Sequence, residues 1–437
     1  MVKNEFLGLD FKDERLNARC NMIVCCIKDN LKASFPEMAG NWSWLKGLYR
    51  FMSNPKVTKE NLVETHIKNS VKRCMKSSVV LAIQDTTTIS FESAGDIDGL
   101  GYVNDKPENK GFLVHGVLAL NGDTGKPLGI LHQQVIVRKQ IYDKKETYSD
   151  RLKRKRESEK WLIALEKTHN LLNEHKHIVH VSDRESDIYF FIKAIRDLKD
   201  GFVIRGCRNR YTSDGYLIDG LVNAVHKGEL HIEIPHKGGR KKRTAKADIY
   251  SQTVEILAPK VINKNGPPIT VNILRVIEYS EEKNKVEWIL LTSEPIETLA
   301  DCEKVIWYYK NRWQIEDFHK GLKTGCSIEE RQLGTIQQHE KLLSIFSVFA
   351  WHGLVLRFNA KQPKCEDVEL NEVQIKILQN QYPRYINNFS SETALKLIAM
   401  LGGFIGRKSD GNPGWKSILT GLFKLELMEI GFRLGNK

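Results

Sequence analysis

Val79-Val80-Leu81-Ala82-Ile83-Gln84-Asp85 is the stretch on which the fold turns. Its apolar residues run without alternation, which fits a strand buried on both faces, and the run delivers Asp85, followed by Thr86, Thr87 and Thr88, at its far end. Ile178-Val179-His180-Val181-Ser182 repeats the design and ends on Asp183. Ligands of open sheets collect at strand ends, so two acidic residues delivered there can converge on one cation. Taken singly, each could instead be a turn-forming or capping aspartate.

The order of elements extends this reading. Val114 to Leu120 and Ile130 to Val137, separated by the turn-prone Asn121-Gly122-Asp123, read as an antiparallel hairpin. A polar helix from about Glu157 to His175 precedes the Asp183 strand. Asp187 is expected to start the next helix, because Ile188, Phe191 and Ile192 follow at helical spacing, and Phe202-Val203-Ile204-Arg205 reads as a fifth strand. Three strands, helix, strand, helix, strand, helix is a ribonuclease-H-like α/β order. The stretch from about Cys207 to Ser293 holds strand-like pieces broken by Gly and Pro, and is read as a β-rich insertion in this core.

A third acid lies beyond the insertion, in Tyr309-Lys310-Asn311-Arg312-Trp313-Gln314-Ile315-Glu316, which runs on to Lys323. On a helix, Tyr309, Arg312, Glu316 and Lys323 fall within ~60° of one another, while Trp307, Ile315, Phe318 and Leu322 crowd the other side. The plainer alternative is a solvated face with i,i+4 pairs beside a buried stripe. With Asp85 and Asp183, however, Glu316 completes a triad of hard oxygen ligands. Three neighbouring carboxylates repel unless a cation neutralises them, and such a set suits two Mg²⁺ ions, with Mn²⁺ able to substitute, rather than zinc. Two such ions ~3.5–4 Å apart can drive an in-line phosphoryl displacement. Glycoside hydrolysis also uses paired carboxylates but does not call for the surrounding Arg and Lys.

Asp85-Thr86-Thr87, Asp183-Arg184-Glu185-Ser186-Asp187, the run Trp288 to Pro295, and Tyr309, Arg312, Glu316 and Lys323 at their spacing resemble the acidic triad and signature helix of the cut-and-paste transposases of the insertion-sequence-four (IS-four) family, in its transposon-five (IS-fifty) branch. The likeness runs from Leu9–Arg19 and Tyr49-Arg50-Phe51 to Leu401-Gly402-Gly403-Phe404 and Pro413-Gly414-Trp415. It implies that Asp85, Asp183 and Glu316 are the catalytic metal ligands and that Tyr309, Arg312 and Lys323 grip phosphates near the cleaved end. It also implies that Trp288 stacks on a base flipped out of the duplex while a DNA hairpin forms; core packing in an apolar strand is the alternative for Trp288. The expected activity is nicking of transposon ends, hairpin formation and opening, and strand transfer. The expected partners are double-stranded DNA and a second copy of the chain in a synaptic complex, in the bacterial cytoplasm at the nucleoid. A catalytically silent DNA-binding regulator and a structure-specific nuclease are the competing readings.

Composition agrees with a polyanionic partner. The 437 residues carry 67 Lys+Arg against 54 Asp+Glu, a net charge of +13. Lys237 to Arg243, with Arg240, Lys241, Lys242 and Arg243, reads as a hairpin tip reaching to a DNA backbone, and Arg151 to Arg156 is a second basic run; either could be a solvated loop. Arg205, Arg15, Arg19, Lys32 and Arg50 are further candidate DNA contacts. The cysteines form no C-x-x-C pair, which argues against disulfides and zinc, and the histidines are scattered, His115 and His132 fitting sheet positions. Leu342 to Leu356 is read as a buried helix and not a membrane span. Three domains are expected: a helical DNA-binding domain over 1–62, the catalytic domain over 63–358, and a helical dimerisation domain over 359–437.

Overall fold

A computed structural model of the chain describes residues 2–29, 34–91, 97–141, 157–234, 243–259, 266–280, 285–362, 369–407 and 409–435. Its centre is one mixed sheet of twelve strands, flanked by helices on both faces. The strands are β1 (Val80–Phe91), β2 (Gly101–Tyr102), β3 (Lys110–Asn121), β4 (Pro127–Ile136), β5 (Ile178–Ser182), β6 (Gly201–Arg205), β7 (Tyr211–Thr212), β8 (Gly215–Tyr216), β9 (Val225–Ile234), β10 (Arg243–Ile256), β11 (Ile269–Ile277) and β12 (Glu287–Thr292). They lie in the order β2-β3-β1-β5-β6-β12-β11-β10-β7-β8, with β4 on β3 and β9 on β10.

The expected hairpin is β3–β4, and β5 and β6 run parallel to β1 with helices Glu159–Leu171 and Tyr189–Asp197 as connections. One expectation changes. The strand bearing Asp85 does not stop there: β1 continues to Phe91, paired with β3 over its whole length, because Thr86, Thr87 and Thr88 are β-branched and favour extended backbone. The strands from the stretch read as an insertion join the same sheet. β12 pairs antiparallel with β6, so β9–β12 continue the central sheet.

Side-chain alternation then sorts the sheet into two faces. Leu81, Ile83, Val179, Val181, Val203 and Leu290 pack in the main core, together with Tyr308, Phe318 and the helix Ile336–Asn359. Phe202, Ile204 and Leu291 face the other way, onto Trp161, Leu165, Phe191 and Ile192. The main core also takes in Phe6, Phe11, Ile23, Leu48 and Phe51, so the amino-terminal helices Glu14–Asp29, Phe35–Ala39 and Trp42–Ser53 pack on the same mass as the sheet. The expected boundary at residue 62 falls inside the helix Lys59–Cys74, and that at 358 falls at the end of Ile336–Asn359. That second helix is long and apolar enough to cross a membrane, and 89% of its apolar window is buried within the protein.

The carboxyl-terminal helix Trp415–Gly435 is keyed into this core by its first residue. An ideal Cβ on Gly353 would stand 2.7 Å from Cζ3 of the Trp415 ring, and one on Gly321 would stand 2.9 Å from the same atom. The indole Nε1 donates to Asp317 Oδ1 at 2.8 Å, and the Arg357 guanidinium lies over the ring, 5.0 Å from its centroid. Two glycines therefore make room for a fully buried indole behind the helix that carries Glu316.

Gly353→Ala is expected to destabilise the protein by about 1–3 kcal/mol, because a rigid buried ring cannot yield to the added methyl. A lowered urea midpoint at unchanged slope is the measurement that checks it.

Candidate active site

The register of the sheet brings the first two acids together. The last β1–β5 pair is Ile83 with Val181, so two residues further on Asp85 and Asp183 come level on adjacent strands, on the same face. The β5–β6 pairs end at Ser182 with Ile204, which puts Arg205 next in that row, and Arg205 is in turn paired with Leu290 of β12. Trp288, two residues from Leu290, shares its face. Four neighbouring strands thus present Asp85, Asp183, Arg205 and Trp288 on one side of the sheet.

The helical segment across that face supplies the rest. It is not one straight α-helix. Leu299–Asn311 and Trp313–Lys320 are separated at Arg312, and Gly321–Gly325 closes with a π turn in which the Cys326 N–H bonds Gly321 O at 2.9 Å. Ile315, Phe318 and Leu322 are buried as expected, but Trp307 is 37% exposed and uses its indole N–H on Gly122 O at 2.8 Å. The wider turn also moves Lys323 off the position a regular α-helix would give it.

Arg312 is the hub. Its Nη2 lies 2.7 Å from Glu316 Oε1 and 3.7 Å from Asp183 Oδ2. The Tyr309 hydroxyl donates to Asp183 Oδ1 at 3.5 Å, and its ring packs edge-on to Trp288 with centroids 5.3 Å apart. Burial raises the Tyr309 pKa, with Asp183 adding to it and Arg312 and Arg205 opposing. Asp85, Thr86, Thr87, Glu316, His319 and Lys323 line one cleft of about 290 Å³. The sheet and the helix therefore bring together Asp85, Asp183, Glu316, Tyr309, Arg312, Lys323, Arg205 and Trp288.

Burial pushes the Asp85 carboxyl up to about 6; Glu316 and Glu185 add to the shift, while Arg312 and the Thr86 N–H oppose it. Three carboxylates are hard oxygen donors of the kind that suits Mg²⁺ or Mn²⁺, so the donor chemistry fits such an ion. Among the described residues no three His, Cys, Asp or Glu side chains are gathered closely enough to hold a metal as they stand. The guanidinium bridging Asp183 and Glu316 takes that role electrostatically.

Sequence reasoning passed over His319. It is fully buried, with Nδ1 3.7 Å from Asp85 Oδ2 and Nε2 without a hydrogen-bond partner among the described residues. Burial, with Lys323 adding, lowers its pKa to about 3, so the ring is neutral. Its place three residues after Glu316 was the available signal. Asp187 does not start a helix. It is buried and accepts from the N–H groups of Cys207 and Arg208 at 2.8 and 2.9 Å and from Arg210 Nε at 3.0 Å, which ties down the chain leaving β6.

Other candidates lie apart from this cluster. Arg15 is exposed on the helix Glu14–Asp29. Arg243 is held by Glu278 through both terminal guanidinium nitrogens, Nη1 and Nη2. Arg240, Lys241 and Lys242 lie outside the described residues, as do Arg151–Arg156 and Lys32. His115 is buried on β3 and paired with Thr86 Oγ1 at 3.0 Å, a sheet residue as expected. The seven described cysteines are all free thiols.

Residues 1–57 match the family model of the transposase DNA-binding domain. The whole chain is similar to the piggyBac transposase in a cryo-EM structure of its synaptic complex with hairpin DNA, at 10% identity and a TM-score of 0.39, over 99% of this chain and 78% of that one.

Asp85 has a folded-state pKa above its unfolded value, so its cost to stability is absent below about 3.8 and complete above about 6. Asp85→Asn is expected to raise the melting temperature of the metal-free protein at about pH 7.5, through a gain of about 1–3 kcal/mol, and to leave it unchanged near pH ~3.5. Thermal melts at the two pH values check this.

Proposed function

We propose that this chain is a DNA transposase of the IS-four family with a ribonuclease-H-like catalytic core, acting by cut-and-paste transposition. The observation that carries the reading is that adjacent strands set Asp85 level with Asp183 while Arg312 of the crossing helix bridges Asp183 and Glu316, in a chain whose first 57 residues match a transposase DNA-binding family. The β4-β3-β1-β5-β6 order supports the ribonuclease-H-like assignment.

In this reading Asp85, Asp183 and Glu316 hold two Mg²⁺ or Mn²⁺ ions, which when bound would activate the attacking oxygen and stabilise the leaving one at a DNA phosphate. Arg312, Lys323 and Arg205 are cations on the same face and grip the phosphates of the end being cut. Tyr309 holds Asp183 through its hydroxyl and supports Trp288 through its ring. Trp288 is only half-buried, so its free face is open to an extruded base during hairpin formation and opening. The chain works as a homodimer in a synaptic complex with transposon ends and target DNA, in the bacterial cytoplasm at the nucleoid. A silent DNA-binding regulator is the second reading, favoured by Arg312, which already neutralises two of the three acids.

Asp85→Ala, Asp183→Ala and Glu316→Ala are each expected to abolish Mg²⁺-dependent cleavage of a cognate end while end binding in a gel-shift assay survives. Cutting by any of the three at the native rate would overturn the site, and a wild-type protein that binds but never cuts would favour the regulator.

Trp288→Ala is expected to leave the first nick intact and to slow hairpin formation and opening. The loss of base stacking is worth about 1–3 kcal/mol, or roughly one to two decades in rate. Resolving the steps on a denaturing gel checks it, with a melting curve to separate a folding defect from a catalytic one.

A further inference from the structure

Behind the helix that carries Glu316 lies a second concave site, which none of the roles above uses. The end of the helix Ile336–Asn359, the helix Ser391–Leu401 and the turn that follows it enclose a cleft of about 190 Å³, lined by Arg357, Lys361, Lys396 and Arg407 and by a single acid, Glu392.

Arg357 is accounted for by the fold. Its Nε donates to Asp317 Oδ2 at 3.3 Å and its Nη1 to Pro413 O at 3.1 Å. Lys361, Lys396 and Arg407 make no ion pair among the described residues, and neither does Glu392. Lys361 follows directly on the end of its helix, where the macrodipole favours a cation, but that explains one charge only. Lys396 sits in the middle of a helix. Arg407 stands beyond Gly406, whose positive φ of 74° folds the turn back so closely that a Cβ there would be 3.3 Å from Cε of Lys396. The backbone thus gathers Lys361, Lys396 and Arg407, faced by Glu392 in the lining and by Asp410, whose Oδ2 accepts from the Arg407 N–H at 2.8 Å, and an anion between the cations would offset their mutual repulsion. Burial lowers the Lys361 pKa, with Asp317 opposing as a counter-charge and Arg357 adding to the shift.

We propose that this cleft seats a backbone phosphate of duplex DNA, at a point separate from the carboxylates. The proposal rests on the reading of the chain as a DNA-acting protein. DNA is favoured over a free anion because the cleft is linked to the reaction site through one contact: Arg357, in its lining, holds Asp317, which adjoins Glu316 and receives the Trp415 indole N–H. A phosphate seated there bears on the helix that positions Glu316, so it fixes the register of the duplex against the catalytic face.

The test is fluorescence anisotropy with a labelled mixed-sequence duplex several helical turns long, across a salt series, since phosphate binding does not depend on sequence. The triple variant Lys361→Gln, Lys396→Gln, Arg407→Gln is expected to bind more weakly, with the slope of log affinity against log salt reduced by about 0.9 for each phosphate it no longer neutralises. Glu392→Gln, which removes the one carboxylate, is expected to bind more tightly, a gain that misfolding cannot produce. If the wild type binds the duplex and both variants match it in affinity and slope, the cleft assignment is overturned and the transposase reading stands. If the wild type itself fails to bind, that reading fails first. If inorganic phosphate raises the melting temperature of the wild type but not of the triple variant, while DNA binding is unaffected, the cleft takes a free anion and the DNA assignment is wrong.

Discussion

Carboxylates set close together on a half-buried face need a positive partner, and Arg312, between Asp183 and Glu316, is the partner this fold supplies. The arrangement is only as good as the position of that guanidinium, which depends on the helical segment lying flat across the sheet. The break at Arg312 lets the chain change its path there, while Tyr309 on one side and Glu316 on the other keep their aim at the carboxylates. Below, Trp415 and Arg357 hold Asp317 from behind, so the residue next to Glu316 is fastened to the carboxyl-terminal helix. Asp85 is the least exposed acid of the three, and its burial raises its pKa.

The sheet does the complementary work. Its parallel register sets Asp85 against Asp183, its next strand brings Arg205, and the strand after that brings Trp288. Because alternation is strict, one residue of slippage in β5 would turn Asp183 to the opposite face. The apolar neighbours Val179 and Val181 make such a slip costly, since their burial in the main core would go with it.

Much of this was legible in the chain itself. The runs Val79–Ile83 and Ile178–Ser182 identify themselves as doubly buried strands, and the acids at their ends stand out because nothing apolar follows at once. What could not be read were features that depend on a partner distant in sequence. The joining of β12 to β6 requires knowing that Thr292 will meet Val203, and the exposure of Trp307 requires knowing that Gly122 offers it a carbonyl. The π turn at Gly321–Gly325 packs against Trp415, nearly a hundred residues later. His319 was overlooked because a histidine on a mostly polar helix gives no sign of burial until the sheet below it is in place.

The pairing of β12 with β6 decides how far this molecule can be taken apart. Because the inserted strands complete the hydrogen bonds of β6, the core sheet has no finished margin on that side without them. Trimming the chain to a minimal catalytic unit by excising the insertion would leave β6 with a row of unmet N–H and C=O groups, an open invitation to edge-to-edge aggregation. These strands are therefore architectural neighbours that β6 cannot shed without exposing its edge.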